Sequence, residues 1–491
     1  MLATTSAWAG FPDTTKLDSG QVSGTSGPSG QSPEVHVFKG IPFAAPPLGE
    51  LRWRPPQPAA HWDGVRKADQ FGPRCLQNAQ PNSQPVSEDC LTVNVWTAAQ
   101  RASERRPVIV WTYGGGFTGG SGSLPMYDGE EFAKKGVVFV TYNYRLGIFG
   151  FFAHPELTKE SGHNASGNYG LMDFVGVLKW VHNNIEAFGG DPKRVTIMGE
   201  SAGAIQVAVL VGSPEGKGLF QRAIAESGAY MGLSIGKMTT LAQAEENGKK
   251  TAASVGAASV AELRQKSAED LFKNARGPSG MVVDGWYIPE DPLKTFRSGH
   301  QNDVEILVGS NKDEGTFFQR GPMTASTFTK QAHDKYGDKA DAFLALYPAD
   351  TDADAAKSQL ACFRDEVAWH MRLWALQTIK KGHKAYVYYF THEPPVAPGQ
   401  ASRGATHVAE IPYVFHIPGK QWTDEDRKLS DTMLSYWTNF ATKGDPNAKG
   451  LQPWPVFQPD NFSFVLGEGP GPGQAPDIDR LRFFDLMYVR Q

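Results

Sequence analysis

The amino-acid sequence predicts an α/β protein: a large, mostly parallel, twisted sheet covered on both faces by helices, in one domain over residues 1–491. Three observations predict it. Short β-branched runs recur along the chain, helical stretches separate them, and one of those stretches carries apolar residues at helical spacing.

The strands are predicted at 108–111, 137–141, 194–198, 304–308 and 385–390, where valine, isoleucine and aromatic residues cluster. Runs with no polar alternation suit strands buried on both faces, as parallel strands with helical crossovers are. The clearest helix contains Phe174, Leu178, Val181 and Ile185, which fall on one stripe, and Gly189, Gly190 and Pro192 end it. Residues 231–275 are rich in Ala, Lys and Glu and interrupt the strand rhythm. They read as an inserted helical cap or as ordinary outer helices. Residues 18–33, rich in Gly, Ser and Pro, read as a surface segment.

Composition narrows the function. With 40% hydrophobic residues the chain has material for a large core, and its formal net charge of −4 argues against a nucleic-acid partner, which needs clustered Lys and Arg. No apolar run reaches the roughly 18 residues of a membrane span. No motif speaks to the oligomeric state. Cys75 and Cys90 flank a polar stretch that can close as a disulfide loop, or stay reduced in a cytosolic protein; Cys362 is left over. Ala7-Trp8-Ala9 has the small-residue spacing of a secretory cleavage site, although no basic segment precedes it.

Chemistry concentrates at Gly199-Glu200-Ser201-Ala202-Gly203. The pattern G-x-S-x-G is short, but here it follows a strand and opens a helical run. That is the setting in which a tight turn lifts a serine clear of the sheet edge as a nucleophile. The flanking glycines answer a steric need, because a side chain there would strike the neighbouring strand or helix. A helix N-terminus at the serine also favours developing negative charge. Upstream, Gly114-Gly115-Gly116-Phe117 follows the strand at 108–111. The N–H groups of Gly115 and Gly116, with that of Ala202, are candidates to hold an oxyanion, since unhindered glycines let neighbouring amides converge.

On these and other segments the chain resembles the type-B carboxylesterases, which include para-nitrobenzyl-type esterases and cholinesterases. The matching stretches are Phe38 to Ala44, Ser87 to Val95, Asn143 to Phe151, Phe188 to Pro192 and the Ser201 segment. The resemblance implies the α/β-hydrolase fold and a serine carboxylesterase acting on small-molecule esters, with no metal or cofactor. It implies Glu314, in Asn311-Lys312-Asp313-Glu314-Gly315, as the triad acid and His407, before Glu410-Ile411-Pro412-Tyr413, as the base. The residues alone leave Asp313 open beside Glu314, and His392, directly after the strand at 385–390, open beside His407. The order Ser201, Glu314, His407 is that of α/β-hydrolases.

The resemblance further implies a Cys75–Cys90 disulfide, hence a secreted or periplasmic protein. It implies ion pairs Arg52–Glu88 and Arg145–Asp173, and supporting, non-reacting roles for Ser227 and Glu200. Tyr113 stands where many relatives have His, and Phe174 where many have Gln. No aromatic residue lies between Cys75 and Cys90, so a cholinesterase-type cation site there is not expected. Lipases, thioesterases, amidases and peptidases can use the same constellation. Non-catalytic adhesion relatives have lost triad residues, whereas all three candidates are present here.

Overall fold

A computed structural model describes residues 14–26, 35–81, 83–229, 238–275, 280–318, 321–459, 463–473 and 478–489. Among these residues the main sheet has eleven strands. They are β1 (Thr25–Ser26), β2 (His36–Pro42), β3 (Thr92–Thr97), β4 (Arg106–Thr112), β5 (Val138–Tyr142) and β6 (Gly190–Glu200). Then follow β7 (Arg222–Glu226), β8 (Glu305–Asn311), β9 (Ala385–Phe390), β10 (Ser463–Leu466) and β11 (Gly471–Gly473). Their spatial order is β11-β10-β9-β8-β7-β6-β4-β5-β3-β2-β1. The seven strands from β10 to β5 are mutually parallel, and the flanking pairs are antiparallel. All five predicted strands are present. The one predicted at 194–198 is longer, beginning at Gly190 and bulging before Val195.

The helices that matter for the site are α1 (Tyr169–Asn184), α2 (Ala202–Val211), α3 (Leu241–Ser254), α4 (Val260–Gln265) and α5 (Ala268–Asn274). Further along the chain come α6 (Gly315–Phe318), α7 (Asp352–Lys380), α8 (Ile411–Val414), α9 (Asp424–Lys443) and α10 (Ile478–Val489). Helix α1 buries the expected stripe and exposes Lys179, His182 and Asn183, but its first turns, Tyr169 to Val175, are buried on every side. Its ending is as expected: a short 3₁₀ turn runs to Phe188, and Gly189 closes it with φ 78°. Helices α3 to α5 occupy 241–274; residues 231–237 of the expected cap, and Ala7-Trp8-Ala9, lie outside the described residues.

Two buried ion pairs brace the layers. Arg145 meets Asp173 through two bonds, at 2.8 and 2.7 Å, which ties the segment after β5 to helix α1. Arg52 meets Glu88 at 2.7 and 2.6 Å and also donates to the carbonyls of Leu263 and Lys266 at the end of α4. A guanidinium satisfies the otherwise orphaned carbonyls at a helix C-terminus. Cys75 and Cys90 are disulfide-bonded. Cys362 is a free, half-buried thiol whose pKa burial pushes up.

Register positions the site. Thr112 lies opposite Gly199, Glu200 opposite Glu226, and Glu226 opposite Gly309. Strands β4, β6, β7 and β8 therefore end nearly level, and the loops after them emerge at one carboxyl edge. That edge is where open α/β sheets bind ligands.

Candidate active site

Ser201 sits at the corner between β6 and α2 with φ 54° and ψ −124°, backbone angles that a non-glycine residue adopts only under strain. The corner is held on both sides. Ser201 N–H donates to the Glu226 carbonyl at 2.9 Å. A Cβ on Gly203 would lie 2.0 Å from the Thr112 oxygen, and one on Gly199 would lie 2.6 Å from the Gly203 carbonyl carbon. Neither approach tolerates a side chain, which is the steric reason for both glycines.

The glycine loop lies against this corner. A Cβ on Gly114 would stand 2.9 Å from Ser201 Cβ. Gly115 and Gly116 adopt φ 108° and 61°, angles that favour glycine. Among the described residues, the N–H groups of Gly115, Gly116 and Ala202 make no hydrogen bond within the protein.

On the other side, His407 Nδ1 is 2.6 Å from Glu314 Oε2. The second Glu314 oxygen accepts the Asn311 N–H at 2.9 Å. The two alternatives left open by the sequence have other tasks. Asp313 exchanges hydrogen bonds with Ala405: its N–H donates to the Ala405 carbonyl, and its carboxylate accepts the Ala405 N–H, both at 2.9 Å. It thereby staples the His407 loop to the turn after β8. His392 pairs with Asp426 at 2.7 Å and lines a separate surface groove with Glu425 and Lys428.

Ser201 and His407 line one cavity of about 400 Å³ including its mouth, together with Ile205, Phe318, Phe363 and Val367. The Phe317 and Phe318 rings flank the His407 imidazole at centroid distances of 5.4 and 4.8 Å. In this conformation His407 Nε2 makes no hydrogen bond; it stands 3.0 Å from Glu200 Oε1. Ser227, with φ 53°, lines the same cavity, and its hydroxyl makes no hydrogen bond to Glu314.

The surroundings are acidic and buried. Glu200, Glu226, Glu314 and Glu410 are all fully buried. Burial pushes the Glu200, Glu226 and Glu410 carboxyls above their ordinary range. Burial acts the other way on His407, but the facing Glu200 and Glu314 carboxylates outweigh it and raise the imidazole pKa. Glu226 accepts from Trp437 at 2.6 Å, and Glu410 accepts from Asn311 at 2.5 Å. Sequence reasoning missed Glu226 and Glu410. Their only signal was adjacency, Glu226 before Ser227 and Glu410 three residues after His407. It also missed the walls from α7, since nothing local marks Phe363 or Val367 as facing a distant serine.

Comparison with known proteins is consistent along the chain. The model of the Carboxylesterase family matches residues 12–471. Fumonisin B1 esterase of Sphingopyxis macrogoltabida is 39% identical, covering 93% of this chain and 88% of its own. Para-nitrobenzyl esterase of Bacillus subtilis (strain 168) is 34% identical, covering 88% and 91%. A solved structure of a PNB esterase superposes with a TM-score of 0.84 at 32% identity, covering 96% of this chain and 99% of that one.

Proposed function

The chain belongs to the carboxylesterase family and is a hydrolase of carboxylic esters; from that premise we propose that it works through an acyl-enzyme on Ser201. His407 Nε2 takes the proton as Ser201 Oγ attacks the ester carbonyl. Glu314 holds the imidazole by its Nδ1–H and stabilises the imidazolium. The carbonyl oxygen, now negative, accepts from the N–H groups of Gly115, Gly116 and Ala202. His407 then gives its proton to the leaving alcohol, and a water activated the same way hydrolyses the acyl-enzyme.

The observation that carries this reading is the pairing of a strained, upraised Ser201 with a His407–Glu314 couple in one cavity. The unfilled amides and the glycine contacts at the corner support it. The walls of Ile205, Phe318, Phe363 and Val367 support esters with an apolar group on that side. The Cys75–Cys90 bond supports an oxidising compartment, secreted or periplasmic. A fluorophosphonate probe, which reacts only with an activated serine, tests the reading. Wild-type protein should be labelled, and Ser201→Ala should lose both the label and turnover of a para-nitrophenyl ester. Activity of Ser201→Ala within tenfold of wild type would refute it.

A further inference from the structure

Three adjacent glycines resist displacement poorly, yet oxyanion donors act only when held to a fraction of an ångström. Something must stiffen the loop from outside. We propose that Tyr144 and Gln77 are positioning residues that pin the two ends of the glycine loop and so set its amide donors; this rests on the reading that Gly115 and Gly116 hold the oxyanion.

The first pin is a reciprocal pair of tyrosines. Tyr144 OH donates to the Tyr113 carbonyl at 3.0 Å. Tyr113 OH in turn accepts the Tyr144 N–H and donates to the Tyr144 carbonyl, both at 3.3 Å. The rings stack at 4.4 Å with an interplanar angle of 21°, and both are fully buried. Tyr113 directly precedes Gly114, so the link fixes the last peptide before the loop.

The second pin is a side-chain amide bonded to both backbone groups of one residue. Gln77 Oε1 accepts the Gly120 N–H at 2.9 Å, and Gln77 Nε2 donates to the Gly120 carbonyl at 2.6 Å. Two bonds to one residue fix its rotation as well as its place. Gln77 is itself held: Nε2 donates to the Cys75 carbonyl at 3.0 Å, and Arg74 Nη2 donates to Oε1 at 2.5 Å.

The two pins meet. A Cβ on Gly120, where φ is 108°, would lie 2.4 Å from the Tyr113 ring and 2.7 Å from the Gly114 carbonyl oxygen. Inside the loop, the Gly115 carbonyl accepts from the N–H groups of both Thr118 and Gly119 at 3.2 Å, and a Cβ on Gly115 would lie 2.3 Å from the Gly119 oxygen. With no slack at either end, movement at Tyr113 or Gly120 reaches Gly115 directly. Neither Tyr144 nor Gln77 lines the cavity beside Ser201, so both act through the backbone and not on substrate.

The test compares Tyr144→Phe, Gln77→Ala and Gln77→Glu in the full chain. Each is measured as kcat per fluorophosphonate-titrated site, together with KM, Tm and the Ki of a trifluoromethyl ketone, whose adduct places an oxyanion at the same spot. Tyr144→Phe and Gln77→Ala should lower kcat per site by about tenfold or more with KM nearly unchanged, and weaken the ketone in step. Gln77→Glu keeps the acceptor for Gly120 and Arg74 but turns a carboxylate oxygen toward the Gly120 and Cys75 carbonyls, and should lose at least as much as Gln77→Ala. Because only folded, reactive sites are counted, a purely structural role would lower Tm and yield while leaving kcat per site unchanged. Tyr144→Phe and Gln77→Ala both within about twofold of wild type would overturn the proposal. No labelling of the wild-type protein would instead overturn the catalytic reading, and this inference with it.

Discussion

Gly203→Ala is the sharpest probe of the corner at Ser201. The added Cβ would stand 2.0 Å from the Thr112 oxygen, where ordinary contact begins at 3.4 Å, so strand β4 or helix α2 must yield by about 1.4 Å. Both sides of that contact carry chemistry. Thr112 leads through Tyr113 into the glycine loop, and Gly203 follows Ala202, the third proposed donor. A misplacement of about 1 Å costs on the order of a hundredfold in rate. At about 1.4 kcal/mol per decade that is close to 3 kcal/mol, within the range of losing one oxyanion donor. Overpacking should also cost roughly 1–3 kcal/mol of stability. The assay is kcat per fluorophosphonate-titrated site on a para-nitrophenyl ester, with thermal unfolding measured alongside. Gly218→Ala is the control. It too has a positive φ, 80°, but its Cβ meets nothing within 4 Å, so it should lose only about 1 kcal/mol of stability and no activity per site. If Gly203→Ala keeps kcat per site within about threefold of wild type, the claim that this contact sets the geometry is wrong.

Other predictions follow from the same geometry. Glu314→Gln should reduce kcat by about 10⁴-fold by leaving His407 in the wrong tautomer, while Asp313→Asn should lower Tm and spare most of kcat; the reverse result in steady-state assays would reassign the acid. The imidazole must be neutral to accept the Ser201 proton, and the Glu200 and Glu314 carboxylates raise its pKa. The ascending limb of kcat/KM against pH should therefore lie above the ordinary imidazole range, and Glu200→Gln should move it to lower pH; an unmoved limb would exclude Glu200 as the perturbing group. Arg145→Met strands the Asp173 carboxylate in the core and should cost about 3–5 kcal/mol in urea unfolding, and a loss below 1 kcal/mol would mean that water reaches it.

How much of this was legible in the sequence depended on whether each signal was local. The five predicted strands and the corner at Ser201 are local patterns: β-branched runs, and a serine between two glycines after a strand. The choice of Glu314 over Asp313 was not local. Neighbouring residues in a turn point different ways, and which one faces His407, 93 positions away, is set by the pairing of Asp313 with the 405–406 segment. The same holds for His392, whose partner Asp426 lies on a later helix. Helix α1 was legible in part: its apolar stripe is buried and Lys179, His182 and Asn183 form an exposed polar edge, but its first turns, Tyr169 to Val175, are buried all round, which periodicity does not imply. The roles of Tyr144 and Gln77 were invisible because each is read only from what its side chain touches.

The level ends of β4, β6, β7 and β8 have a consequence for how such a catalyst can diversify. The glycine loop, Ser201 and Glu314, three parts of the proposed machinery, follow strands of one sheet whose roughly 4.8 Å spacing is dictated by backbone hydrogen bonds, while His407 is brought to them by the 405–406 segment paired with Asp313. Of the cavity walls, Phe318 comes from α6 and Phe363 and Val367 from the distant helix α7, while Ile205 belongs to α2. Mutation can reshape those walls for a new ester without retuning the spacing of the chemistry, so one rigid datum serves many appetites.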